Sequence, residues 1–272
     1  MISFFSFLGS GGNSNARLLV LLVVLEMSLY STATADKIGI NFVGGTPQQG
    51  TPAPLKPSEI AGVFPQKSWN NAYEKNGNLS PVGHNEKGSS VSYPGFIVSW
   101  DAPATNTSPI AQFHTTAAGT HGPPNYRLGL GYIEAVAGQA VTITFTSIPR
   151  QFTAGGHSFS LVVCFHLDNI DFRSQTSSDK VHIFTIKGAK AGGKTICGRQ
   201  LSGVERPLTG WVQVPEKSTT DEHEKTPAGN YVVFSHLTDT DLILTAKGGS
   251  ATDKNPQAAI NAIQIISSKA SE

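Results

Sequence analysis

Residues 141–146 read Val141-Thr142-Ile143-Thr144-Phe145-Thr146. Apolar and hydroxyl side chains alternate with a period of two. Successive side chains of a strand point to opposite faces, so the segment predicts a β-strand with one buried face and one wet face. Val, Ile, Phe and Thr also suit a pleated, half-buried surface. Outward from this stretch the same period recurs. Phe159, Leu161, Val163, Phe165 and Leu167 alternate with mostly smaller or more polar residues, and Val181 to Ile186 form another such run. Tyr231-Val232-Val233-Phe234 and Leu242-Ile243-Leu244-Thr245 are two more, joined by HLTDTD. Ile38-Gly39-Ile40-Asn41-Phe42-Val43 opens the series, and Phe96-Ile97-Val98-Ser99-Trp100 follows a Tyr-Pro-Gly turn. Ile260, Ile263, Ile265 and Ile266 close it.

Short strands separated by Gly, Pro, Asn and Ser predict an all-β chain, an antiparallel β-sandwich. The first and last strands, IGINFV and INAIQII, are candidates to pair and bring the chain ends together. The one helical hint is Pro57 to Gly62. Three stretches read as long loops: 44–58, 101–125 and 215–229. Composition agrees with this architecture. Only 14% of residues are charged, with 28 Gly and 16 Pro, which suits a turn-rich globular chain. Lys+Arg 20 against Asp+Glu 19 leaves a net charge of +1. No basic stripe is visible, so nucleic-acid binding has no support.

The N-terminal segment predicts export. Arg17 precedes LLVLLVVL (18–25), and Ala33-Thr34-Ala35 matches the small-x-small pattern of signal-peptide cleavage. Residues 1–35 are thus expected to be a signal peptide and 36–272 a single β-sandwich domain, secreted or at the cell surface. Glu26 is unusual so close to the apolar run. The alternative is an uncut anchor, but the run falls short of the roughly 20 apolar residues a span needs. Cys164 and Cys197 can pair across strands in an oxidising compartment. They can equally stand as two separate buried thiols.

Six motifs occur in order: INFVGG (40–45), AGVFPQKSWNNA (61–72), RLGLGYIEA (127–135), VTITFTSIP (141–149), GNYVVFSHL (229–237) and AINAIQII (259–266). The set resembles a recurrent domain of exported bacterial proteins, common in planctomycete and verrucomicrobial genomes. That domain opens on INF-GG, continues through AGVVPQ-NWNN, a central GY and GNYV-F-GL, and closes on INGIQIV. The resemblance spans most of residues 38–266 and implies a jelly-roll, galactose-binding-like sandwich. The chain departs from the pattern at Ala262, where Gly is usual. It departs again over SFSLVVCFHLDNIDFRSQ, which replaces a more aromatic strand.

No HExxH, GxSxG, P-loop or Rossmann fingerprint is present. His166 with Asp168 and a remote Ser is the weak remnant of a triad. Among the acids available for glycoside hydrolysis, Glu134 stands out because it follows an apolar Gly-Tyr-Ile strand. The plainer reading makes it an edge residue facing water. His114 and His121 share a loop without a third ligand. Asp239-Thr240-Asp241 is an oxygen-rich loop that could hold calcium, as jelly rolls often do, against the plainer reading of a hairpin turn. A sugar ring stacks on aromatic side chains while amides and guanidinium groups bond its hydroxyls. Trp69, Asn70 and Asn71 offer that combination, as do Tyr126 and Arg127 beside Asn125, and Glu134 completes the candidate set. Trp100 and Trp211 end strands near loops. A tryptophan in a sandwich core is the competing reading for each.

The expected function is a secreted, non-catalytic binding module for carbohydrate or another extracellular polymer. The alternatives are a self-associating cell-surface, matrix or fibre subunit, and a polysaccharide-acting hydrolase or lyase.

Overall fold

The structure is a computed structural model that describes residues 36–44, 54–84, 89–107, 123–136, 138–166, 180–200, 210–222, 225–249 and 256–268. The expected signal peptide lies outside the described residues, as do His114, His121 and Asp168. Residues 35–272 form one compact unit. Among the described residues no helix is long and apolar enough to cross a membrane.

The chain is all-β. A first sheet runs in the order β14 (Tyr231–Leu237), β10 (Ser158–Cys164), β17 (Ala262–Ser268), β1 (Lys37–Phe42), β4 (Val82–His84) and β5 (Ser90–Ser92), with β2 (Asn70–Ala72) added in parallel to β1. A second sheet runs β13 (Ala228–Gly229), β12 (Lys194–Gln200), β11 (Val181–Gly188), β15 (Leu242–Gly248), β9 (Val141–Thr146), β6 (Ile97–Asp101) and β3 (Asn76–Leu79). A third, smaller sheet holds β16 (Ala258–Ile260), β8 (Gly131–Ala135) and β7 (Ala104–Thr107).

The two large sheets share one core. From the first come Ile38, Ile40, Leu161, Val163, Ile263 and Ile265. From the second come Val98, Ile143, Phe145, Phe184, Ile186 and Leu244. Each set falls on alternate positions of its strand, so the period of two read from the sequence is the period of burial. The first and last strands pair antiparallel, with Ile38 opposite Ile265 and Ile40 opposite Ile263.

The C-terminal apolar run is two strands, not one, and the break is Asn261. Its main chain bonds Cys164 O and Phe42 N, at 3.0 and 2.9 Å. Its Nδ2 donates to Gly129 O and Gly131 O, and its Oδ1 accepts the His166 N–H. One side chain thus passes the chain from the third sheet to the first. Gly131 stands here because a Cβ would overlap the Val43 carbonyl.

The helical hint at residues 57–62 is turn and bridge structure, with Ala61 and Gln66 bonding one another in both directions. Helices form instead at Pro124–Leu130, beginning at the end of the stretch 101–125 read as loop, and at Arg150–Thr153. Proline supplies the fixed φ suited to a first turn and lacks only an N–H that has no intrahelical partner there.

Candidate functional site

Most of the residues expected to touch a ligand are turned inward. Trp69 is 5% exposed and lies flat against Gly39 of β1 and against Gly62. A Cβ on either glycine would meet the indole ring, and Gly62 has a φ of +105° that disfavours other residues. Asn70 donates through Nδ2 to Gly39 O and Val82 O and accepts the Val82 N–H on Oδ1, all within 2.9 Å. It fastens β2 to β1 and β4. Asn71 Oδ1 accepts from Asn41 Nδ2 and the Leu55 N–H, while its Nδ2 donates to Leu55 O. Both amides are committed to the chain itself, so the ligand role expected of Trp69, Asn70 and Asn71 is corrected to a structural one. The segment 54–69 is a strap over the outer face of the first sheet, and these residues hold it down.

Tyr126 and Arg127 belong to the helix Pro124–Leu130 and are both buried. Arg127 ion-pairs with Glu59 of the strap and donates from Nη1 to Pro54 O at 3.2 Å. Asn125 Oδ1 accepts the Gly62 N–H at 2.8 Å. Burial alone would raise the Glu59 carboxyl, but the Lys56 N–H and the Arg127 guanidinium outweigh it and hold it below its usual value. The helix is therefore a clamp on the strap, and a ligand role for this pair is likewise corrected.

Glu134 is neither an edge residue nor exposed. It is 3% exposed and accepts from Gln257 Nε2 at 2.7 Å. Its neighbours Ile133 and Ala135 point into the core, so alternation places it with Tyr132 on the opposite face of β8.

The calcium reading does not fit the donor set. Asp239 accepts the Lys190 N–H on one oxygen, at 2.6 Å, and the Ala191 N–H on the other, at 2.9 Å. It caps the β11–β12 turn. Asp241 accepts the Ser147 N–H and the Thr240 hydroxyl. The two carboxylates serve different loops and each accepts hydrogen bonds rather than facing a shared centre. Among the described residues no group of three or more His, Cys, Asp or Glu could hold a metal ion.

The cysteine staple is also corrected. Cys164 and Cys197 are free and buried. Cys164 lies on the outer face of the first sheet beside Val162 and Trp69. Cys197 follows the core residue Ile196, so it faces outward from the second sheet, where Ser218 bonds its main chain. The thiols point away from each other on opposite sides of the sandwich. Burial pushes them up, to about 12 for Cys164 and about 11 for Cys197.

Trp100 is core, edge-on to Phe42. Trp211 alone of the three tryptophans keeps part of its surface in solvent, edge-on to Tyr231 at 6.3 Å. The hollow beside it, lined by His166 and Asn230, is about 10 Å³, room for about one water.

The open cavity lies elsewhere. At one end of the sandwich, the turn before β6, the β9–β10 connection and the β14–β15 turn enclose a groove of about 580 Å³. That is within the usual size range of ligand sites. Ser92, Ser147, Thr240, Arg150, Gln151 and Asp241 supply its polar groups, and Val91, Pro94, Ile148 and Pro149 its apolar ones. Tyr93 sits in its wall, 5% exposed and edge-on to Phe152. Burial, with the charge of Asp36 adding to it, pushes the Tyr93 phenol up to about 12.

Ser147 has a φ of 59°, a left-handed conformation that costs a residue with a side chain about 1–3 kcal/mol. The bond from Ser147 N–H to Asp241 and the 2.7 Å bond from Ile148 N–H to Thr240 O hold it there. Asp241 is thus the one residue of the expected set that lines the groove. The rest of the groove comes from three turns far apart in sequence, and no local motif announces it. The positive φ at Ser147 has no sequence signal, because serine is common in turns of every kind.

The chain matches no known family model and no curated protein sequence.

Proposed function

We propose that the protein is a non-catalytic binding module for carbohydrate or a similar hydroxyl-rich extracellular polymer, exported from the cell and built on a jelly-roll, galactose-binding-like sandwich. The observation that carries the reading is the end groove. It mixes hydroxyl, amide and guanidinium groups with proline and aliphatic surface, the chemistry that complements a sugar's hydroxyls and its apolar ring face. It is held on turns that a rigid sandwich positions, as binding loops commonly are.

The same groove argues against hydrolysis. Glycoside hydrolysis uses two carboxyl groups, roughly 5–10 Å apart. Asp241 is the one acid among the lining residues, and its carboxylate holds Ser147. Glu59 and Glu134, the other acids of interest, are committed to internal bonds.

The test is a pull-down on a broad panel of insoluble and immobilised polysaccharides with the intact chain and with an Arg150→Ala, Gln151→Ala double variant. Retention of the wild type, weakened about tenfold in the variant, is expected, since losing hydrogen bonds of this kind costs about 1–1.5 kcal/mol. Absence of retention across the panel would overturn the reading.

A further inference from the structure

The outer face of the second sheet carries a cross-strand row of small polar side chains. The register places Asn76 beside Asp101, Asp101 beside Thr142, Thr142 beside Thr245, Thr245 beside Thr185 and Thr185 beside Thr195. Six neighbouring strands thus contribute one residue each. The Thr185 and Thr195 hydroxyls are 3.0 Å apart, and Thr245 Oγ1 donates to Thr185 O. A parallel row holds Asn78, Ser99, Thr144, Ile243 and Lys187. Every one of these residues keeps part of its surface in solvent.

Two of the five exposed large apolar residues among the described residues stand beside threonines on this face. Ile243, 42% exposed, is opposite Thr144, and Ile97, 41% exposed, is opposite Thr146. A hollow of about 350 Å³ lies between Thr144, Thr146, Lys187 and Ile243, and Asp241 lines both it and the end groove. The face and the groove are therefore continuous.

We infer that the ligand is an extended, neutral polysaccharide chain that runs from the end groove past Asp241 and Ile243 onto the threonine rows, contacting several successive sugars. The inference rests on the carbohydrate reading of the groove and specifies its ligand. Three features of the face carry it. The hydroxyls of Thr142, Thr245, Thr185 and Thr195 follow one another within a row at the strand spacing of about 4.8 Å, close to the length of one sugar ring in an extended chain. Exposed Ile243 and Ile97 each stand beside a threonine hydroxyl, which matches a ring with an apolar face and a polar rim. The charges on the face nearly balance, Asp101 and Asp241 against Lys187, Lys247 and Arg199, which suits a neutral polymer over an acidic one.

The experiment titrates the full chain calorimetrically with oligosaccharides of two to six units from β-1,4-glucan, xylan, mannan and chitin, with polygalacturonate as an acidic control. At least one neutral series is expected to bind, with affinity rising roughly tenfold from the shortest to the longest member. Thr245→Val with Ile243→Ala should remove the gain with length and leave the shortest ligand's affinity unchanged. Thr245→Ser alone, which keeps the hydroxyl, should retain the gain. Arg150→Ala should weaken every length alike.

Binding that is sensitive to Arg150→Ala but indifferent to length, or that favours polygalacturonate, would overturn the extended-chain inference and leave the groove as a sugar site. No binding by any probe would overturn both. Thermal unfolding of each variant verifies that it is folded.

Discussion

The two large sheets present opposite outer faces. On the first, the outward residues of β17 are Ala262, Gln264 and Ile266, and Gln264 is fully buried under the strap 54–69. Its amide donates to Phe64 O and Gln66 Oε1 and accepts the Phe64 N–H. On the second, the outward residues of β9 are Thr142, Thr144 and Thr146, and no strap covers them among the described residues. The same sandwich therefore roofs the outer face of its first sheet and leaves the outer face of the second to solvent around β9 and β15, although it is covered at Val181 and Cys197. The difference identifies which surface is free to meet a ligand. The tryptophan and asparagines that look suited to sugar belong to the roofed face.

The contrast can be broken most forcefully at Trp69. Trp69→Ala should destabilise the protein by about 3–5 kcal/mol, the usual cost of emptying a large buried aromatic site, in denaturant unfolding. A change below 1 kcal/mol would mean that the strap contributes little.

Acid should attack the interior next. His182 is fully buried, its Nδ1 accepts the Ala259 N–H, and its ring stacks on Phe184. Burial, reinforced by His166 and Lys180 against the opposing effect of Gln200, lowers its pKa to about 3. The native state therefore keeps His182 neutral, while the unfolded chain takes up a proton below about 6.5. Its contribution is complete above that pH and is lost at about 1.4 kcal/mol per unit as pH falls towards 3, near 3 kcal/mol by pH 4.5. Unfolding curves of wild type and His182→Gln, which cannot titrate, should converge across that window. Parallel curves would contradict the assignment.

The smallest effect belongs to the bare face. Thr142→Val should alter stability by no more than about 0.5 kcal/mol, as at exposed positions generally. A loss several times larger would show that the threonine row is structural.

How much of this was legible depends on the type of signal. Strict alternation in VTITFT announces a strand with one wet face, and the structure bears that out residue by residue. The apolar run AINAIQII reads as the closing strand, and the strap covers its outward residues. What the run conceals is its division at Asn261, because the residue that breaks it is polar yet buried.

Asn70, Asn71 and Arg127 misled for a related reason. Amides and guanidinium groups complement a ligand and a backbone equally well, and composition does not distinguish the two. The buried Glu134 was legible as unusual, though its Gln257 partner lies 123 residues away. The groove was illegible because it is assembled from turns on three different connections. The threonine row needed the register of six strands before its members became neighbours.

The most direct measurement of the central claim is hydrogen exchange of the intact protein with and without a retained polysaccharide. Protection is expected at residues 142–146, 185–187 and 240–247, with the strap 54–69 unchanged. Protection confined to the strap or to the neighbourhood of Trp211 would place the ligand on the roofed side and contradict the account.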